Sequence, residues 1–141
     1  MRTAVYALAL SVVSFAISGC APARYQRVCF TGGCIKVELA VSAEEKTIGL
    51  MYRDRLEYIG GMLFVLDDDD SHSFWMKNVR FPLDIIWIDK KKKILHIDED
   101  VPVCSDPCPG IVFEGPARYV LEASAGFSKE RKLKVGDVLK F

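Results

Sequence analysis

Leu83-Asp-Ile-Ile-Trp-Ile-Asp89 places large apolar side chains on both sides of one extended segment. A strand with one wet face alternates apolar and polar residues, so a strand apolar on both faces belongs mid-sheet, covered above and below. Trp87 is therefore expected in the core. Working outward, residues 90–93 are all lysine and read as a solvated hairpin tip leading into Ile94-Leu-His-Ile97. Upstream, residues 77–82 read as a turn entered from a strand over 73–76. Ile35-Lys-Val-Glu-Leu-Ala-Val41 alternates with period two, and Met62-Leu-Phe-Val-Leu66 is a short apolar run after Gly60-Gly61. Residues 118–124 form a further strand pattern. Ser42 followed by Glu45 makes a capping box, which predicts a short helix over 43–52 with Ile48 and Met51 turned inward. Residues 101–116 read as a loop with Pro and Cys, 127–132 as a helical turn, and the chain after Asp137 as a last strand. Many short strands between regular turns predict a mainly β fold, a compact antiparallel β-sandwich or barrel with one or two short helices.

The N-terminus carries an address. Arg2 gives a positive start, residues 4–18 an apolar stretch too short to span a bilayer, and Ile17-Ser-Gly-Cys20 a small-residue cleavage site ending on cysteine. This pattern resembles the bacterial lipobox. It implies a lipoprotein signal peptide over 1–19 and Cys20 as the acylated first residue of the mature chain. Residues 20–34 are then the lipidated cysteine and tether, and 35–141 a single β-domain. The expected location is the bacterial cell envelope, facing the periplasm or the cell exterior, with the membrane as a partner through the lipid.

Charge argues against another class of partner. The chain holds 19 basic and 19 acidic residues, and loss of Arg2 with the signal leaves 18 against 19. Nucleic-acid binding draws on a basic excess, so nucleic acid is not an expected partner. With Cys20 taken by lipid, Cys29, Cys34, Cys104 and Cys108 remain as an even set. Four cysteines allow three pairings. Tight spacing and glycine or proline in each loop favour the local pairs 29–34 and 104–108 in an oxidising compartment, and a four-thiolate zinc site is the rival reading.

Three blocks carry a family resemblance. Gly49-Leu-Met-Tyr-Arg53 with Gly61-Met-Leu-Phe64, Phe74-Trp-Met-Lys-Asn78 with Pro82-Leu-Asp84, and Tyr119-Val-Leu-Glu122 with Ala125-Gly126 and Gly136-Asp137 resemble the DUF192 family in order and spacing. The resemblance covers about Val37 to Phe141. It implies a compact β-rich fold of the sandwich type and brings no established activity. Val79 stands where the family usually has threonine, and neither cysteine pair belongs to the common core.

Candidate site residues follow from chemistry. Asn78, Arg80 and Pro82 make an irregular connection between strands, a common place for function. Asp84 suits a bidentate guanidinium from Arg53 or Arg80, and Trp75 offers a flat apolar surface with one donor. Arg53, Trp75, Asn78 and Asp84 are thus expected on one pocket wall, with Glu122 as a further ligand-binding candidate. The plainer alternative makes Trp75 and Met76 core, Asn78 a turn-fixing residue and the Arg–Asp pair architectural. A hydrolase would use Asp84 and Glu122 as its carboxylate pair. A soft-metal protein would bind Cu(I) through Met51, Met62, Met76, His72 and cysteine thiolates. The acidic run at 67–70 lacks the spacing of a calcium loop and reads as a solvated turn. No nucleophile elbow, helical metalloprotease pair or phosphate loop is present, so no catalytic residue, metal or cofactor is assigned. The expected function is that of an envelope domain binding a small ligand or another envelope protein.

Overall fold

In the computed structural model, which describes residues 24–56 and 60–141, β5 (Leu83–Ile88) lies where its two apolar faces require. It pairs with β8 (Tyr119–Ser124) on one side and β6 (Ile94–Val101) on the other, and all six of its residues are buried. Beyond β8 come β3 (Gly61–Val65), β2 (Gly33–Ala40) and β1 (Tyr25–Phe30), giving a six-stranded sheet in the order β1-β2-β3-β8-β5-β6. β4 (His72–Trp75) and β7 (Gly110–Phe113) form a separate antiparallel ribbon.

Strand alternation divides the core into two layers. Leu83, Ile85 and Trp87 join Met62, Phe64 and Val120 on one face of the large sheet. Ile86 and Ile88 join Val28, Leu63 and Leu121 on the other. Phe74, Ile111 and Phe113 of the ribbon pack against the first layer. The second layer is joined by Phe127 of α2 (Phe127–Glu130) and by Leu133, Leu139 and Phe141 of the C-terminal segment. That segment bridges both ends of the large sheet, Val138 pairing with Lys93 and Lys140 with Cys29.

Trp87 is fully buried, 5.3 Å edge-to-face from Phe74 and 5.4 Å stacked on Phe113, and its Nε1–H donates to Asp98 at 2.7 Å. Trp87→Ala is expected to destabilise the domain by about 3–5 kcal/mol, as truncation of a large core aromatic does. Denaturant melting checks it, and a variant that melts like wild type would remove Trp87 from the core.

Several boundaries differ from the sequence reading. The stretch expected as tether, 20–34, contains β1 and the turn into β2, and Val28 is fully buried. Only one residue of β1 is fully covered, so its apolar signal is weak. The Cys29–Cys34 disulfide joins residues directly opposite in this hairpin, and Cys104–Cys108 closes a local loop. Both cysteine pairs are therefore local disulfides. The helix α1 (Ala43–Ile48) has the expected capping box, but Gly49 at φ 48° ends it early. Ile48 is 47% exposed instead of inward. The loop expected over 101–116 holds β7, whose Ile111 and Phe113 face the core while Val112 is exposed. Four residues among Pro and Cys punctuation are too few to show a period. β2 and β3 are parallel, because the connection through α1 returns the chain to the starting end of β2 before β3 begins. The expected last strand forms only the isolated bridges at Val138 and Lys140.

Candidate functional site

Glu122 is the charged residue type that the fold treats most unusually. It sits on β8 opposite Met62 of β3 and Ile85 of β5, so its side chain enters the first apolar layer. Only 4% of it is exposed. Among the described residues no hydrogen-bond or ion-pair partner accompanies its carboxyl. Burial alone pushes its pKa up to about 8 from 4.5, because the charged form loses its hydration without gaining a partner. At neutral pH Glu122 is mostly a neutral acid, able to donate one hydrogen bond and accept others. The turn Gly60-Gly61 brings β3 tightly against β8, since a Cβ at Gly61 would collide with the Glu122 carbonyl oxygen.

The carboxyl forms part of a slot of about 30 Å³, enough for about one small polar group. The C-terminal half of α1 and the turn after it supply one wall, from Lys46 and Thr47 through Met51, while Phe64, Phe74, Trp75 and Val79 line the other side. Gly49 is needed there twice over: it holds φ 48°, and a Cβ would press to 3.1 Å from the Phe64 ring. The Ser42 and Val41 backbone N–H groups hold the Glu45 carboxylate below its ordinary range, which fixes the start of the same helix. Beside the slot a wider groove of about 300 Å³ runs along β4, lined by Lys46, Thr47, Leu66, His72, Ser73, Phe74 and Trp75. Trp75 is 47% exposed and is shared by slot and groove.

The five candidate residues separate. Arg53 pairs with Glu38 at 2.6 Å rather than with Asp84. Asp84 is fully buried on the opposite face of the sheet, where it accepts backbone N–H bonds from Ser128 at 2.7 Å, Asp100 at 3.0 Å and Gly126 at 3.1 Å. It ties α2 and the end of β6 to β5, an architectural role. Asn78 holds φ 59°, a left-handed conformation that asparagine tolerates well. Its Nδ2 donates to the Tyr52 hydroxyl at 2.9 Å and its carbonyl accepts from the Tyr52 N–H at 2.8 Å. Asn78 thereby fixes the turn that carries Met51 into the slot wall. Only Trp75 and Glu122 of the five line the slot. Arg53 borders a different depression with Tyr52, Asp54 and Arg55.

This geometry corrects two alternatives. Asp84 aligns with Ala123 and Ile85 with Glu122, so the two carboxyls project from opposite faces with a sheet between them. They cannot flank one scissile bond. A Cu(I) site loses its thiolates to the two disulfides, and Met62 and Met76 are core residues 5% and 2% exposed. Among the described residues no group of three or more His, Cys, Asp or Glu side chains is placed to hold a metal. In the acidic run, Asp67 pairs with Lys46, Asp68 lies 3.0 Å from the His72 imidazole, and Asp69 pairs with Lys90 and Arg118, so these carboxylates face separate partners instead of one cage. The sequence named Glu122 but missed the helix end that builds its slot, because Ile48 and Met51 read as ordinary inward residues of a longer helix.

Fold and slot together define a small mixed-sheet β-domain with a recessed neutral carboxyl. The chain belongs to the DUF192 family, described as an uncharacterized ACR, whose model matches residues 27–141. A crystal structure from Sinorhizobium meliloti 1021, described as a candidate transcription regulator, is similar at 33% identity and a TM-score of 0.78, covering 86% of this chain and 97% of that one. A protein of unknown function from Novosphingobium aromaticivorans DSM 12444 is similar at 28% identity and a TM-score of 0.76, with coverage of 92% and 94%. No curated protein matches the chain.

Proposed function

We propose that this chain is an envelope lipoprotein, anchored through Cys20, whose β-domain binds a small ligand in the slot over Glu122. The reading rests on one observation: a carboxyl with no partner among the described residues lies in the wall of a mostly apolar slot beside a half-exposed tryptophan. Buried polar groups are normally satisfied within the protein, and one left unsatisfied beside a cavity suits a partner from outside. The slot's size and the neutral acid favour an uncharged polar tip such as an amide, carbonyl or hydroxyl. The body of the ligand would lie in the groove over Phe74 and Trp75. A direct role on DNA, which the description of the Sinorhizobium meliloti relative raises, finds no support in a chain of 19 basic and 19 acidic residues.

The proposal has two separable tests. Metabolic labelling with a fatty-acid probe should tag wild-type protein and leave Cys20→Ser untagged; equal tagging would remove the anchor. Thermal-shift screening of a small-molecule library should find compounds that raise the melting temperature, because ligands that bind only the folded state stabilise it. The shift should shrink above about pH 8, as Glu122 ionises, and disappear in Trp75→Ala. Compounds that act equally on Trp75→Ala and at all pH values would place binding elsewhere.

A further inference from the structure

We infer that the outward face of β1, β2 and the C-terminal segment is a docking surface for an anionic phospholipid bilayer, oriented so that the Glu122 slot points away from the membrane. Strand register assembles this face from three distant parts of the chain. Val28 is buried inward, so its neighbour Arg27 points outward, directly opposite Lys36 of β2. Leu139 is likewise buried, which turns Val138 and Lys140 outward. Val138 pairs with Lys93, placing that lysine beside it on the same face. Residues 90–93 alone read as a solvated hairpin tip; it is this bridge that joins Lys93 to a larger surface.

Arg27, Lys36, Lys93 and Lys140 have no ion-pair partner among the described residues. Lys46, Arg53, Arg80, Lys90 and Arg118 each face a carboxylate, while several other lysines, among them Lys77, Lys129 and Lys134, also lack an ion-pair partner among the described residues, so it is the clustering of the four that matters. In a chain whose charges balance, these four cations gathered on one face form a basic surface, and the carboxylate that shares it, Glu38 opposite Tyr25, is paired with Arg53. Apolar and interfacial side chains lie among them: Val138 is 59% exposed, and Tyr25, 47% exposed, carries the Lys36 ammonium 3.8 Å from its ring centroid. Lysine or arginine near an anionic leaflet, with an aromatic at headgroup level, is the chemistry that holds a protein against such a membrane.

Chain length sets the same orientation. Three residues lie between Cys20 and Arg24, so four steps of about 3.5 Å give a reach of at most about 14 Å and an acylated Cys20 keeps β1 close to the bilayer. This part rests on the lipid anchor proposed above. An acyl anchor combined with a basic surface is one of the two-signal routes to stable membrane attachment. The C-terminal segment bridges β1 and the start of β6, so following β1-β2-β3-β8-β5-β6 leads back to it, and β8 with Glu122 lies on the far side.

The experiment uses residues 20–141 bearing Cys20→Ser, which retain every described core residue, the first of which is Val28. Without acylation, the result does not depend on whether Cys20 is lipidated, and fatty-acid labelling decides that separately. Flotation with phosphatidylcholine vesicles is compared with vesicles containing phosphatidylglycerol at low salt. Expected are binding to the anionic vesicles alone, loss of binding as salt rises, and about a hundredfold weakening in Arg27→Glu/Lys93→Glu/Lys140→Glu. Lys77→Glu, on the ribbon side beside Trp75, should leave vesicle binding unchanged. Melting curves establish that the triple variant is folded, and the corresponding glutamine substitutions replace it if it is not. No binding to anionic vesicles, equal binding to both kinds, a triple variant that binds like wild type, or tighter binding to duplex DNA lost by the same substitutions would overturn the inference.

Discussion

Glu122→Gln is expected to stabilise the domain at neutral pH and to flatten its stability profile on the alkaline side. Burial raises the Glu122 pKa from 4.5 to about 8, so the folded state holds this proton more tightly than the unfolded chain does. The stability linked to the proton is complete below about pH 4.5 and is lost as pH rises through about 8. A shift of this size corresponds to about 3 kcal/mol lost by pH 7 and about 4–5 kcal/mol above pH 8, to order of magnitude. Glutamine keeps the shape and carries no charge. The variant should therefore match wild type near about pH 4 and gain on it steadily up to about pH 9 in urea denaturation. Two parallel profiles would mean that Glu122 is solvated or paired in the folded protein.

Asp84→Ala should do the opposite, with a loss of about 3–5 kcal/mol, because three backbone N–H groups lose their acceptor where water does not replace it. Asp84→Asn keeps one accepting oxygen and should lose about half as much. The contrast separates architecture from binding. A residue held for a ligand at the surface changes stability by about 1 kcal/mol or less, so an alanine variant that melts like wild type would return Asp84 to the list of site residues.

The central layer was legible because its signal is long and unambiguous: Leu83 to Ile88 tolerates no wet face, and the structure buries it completely. The capping box of Ser42 and Glu45 is a local bond pattern and formed as read. The site was harder, since side-chain partnership depends on which face a residue takes. One step of strand parity separates Asp84 from Ile85, and it sends the carboxylate away from Arg53 and toward α2. Arg53 then finds Glu38, on a strand whose parallel pairing with β3 no local pattern reveals. Glu122 was visible as a carboxylate within an apolar strand. Its isolation was not, because that depends on Met62 and Ile85 beside it and on the turn from Gly49 to Met51 forming the slot wall.

The measurement that bears most directly on this account is the titration of Glu122 itself. Carbon-13 NMR of the glutamate side-chain carboxyls, with Glu122→Gln assigning the signal, gives its pKa in the folded protein. One carboxyl should stay protonated through neutrality and titrate near 8, moving higher when a ligand with an uncharged polar tip is bound. Titration of that carboxyl near its ordinary value of 4.5 would contradict the neutral acid on which the proposed site depends.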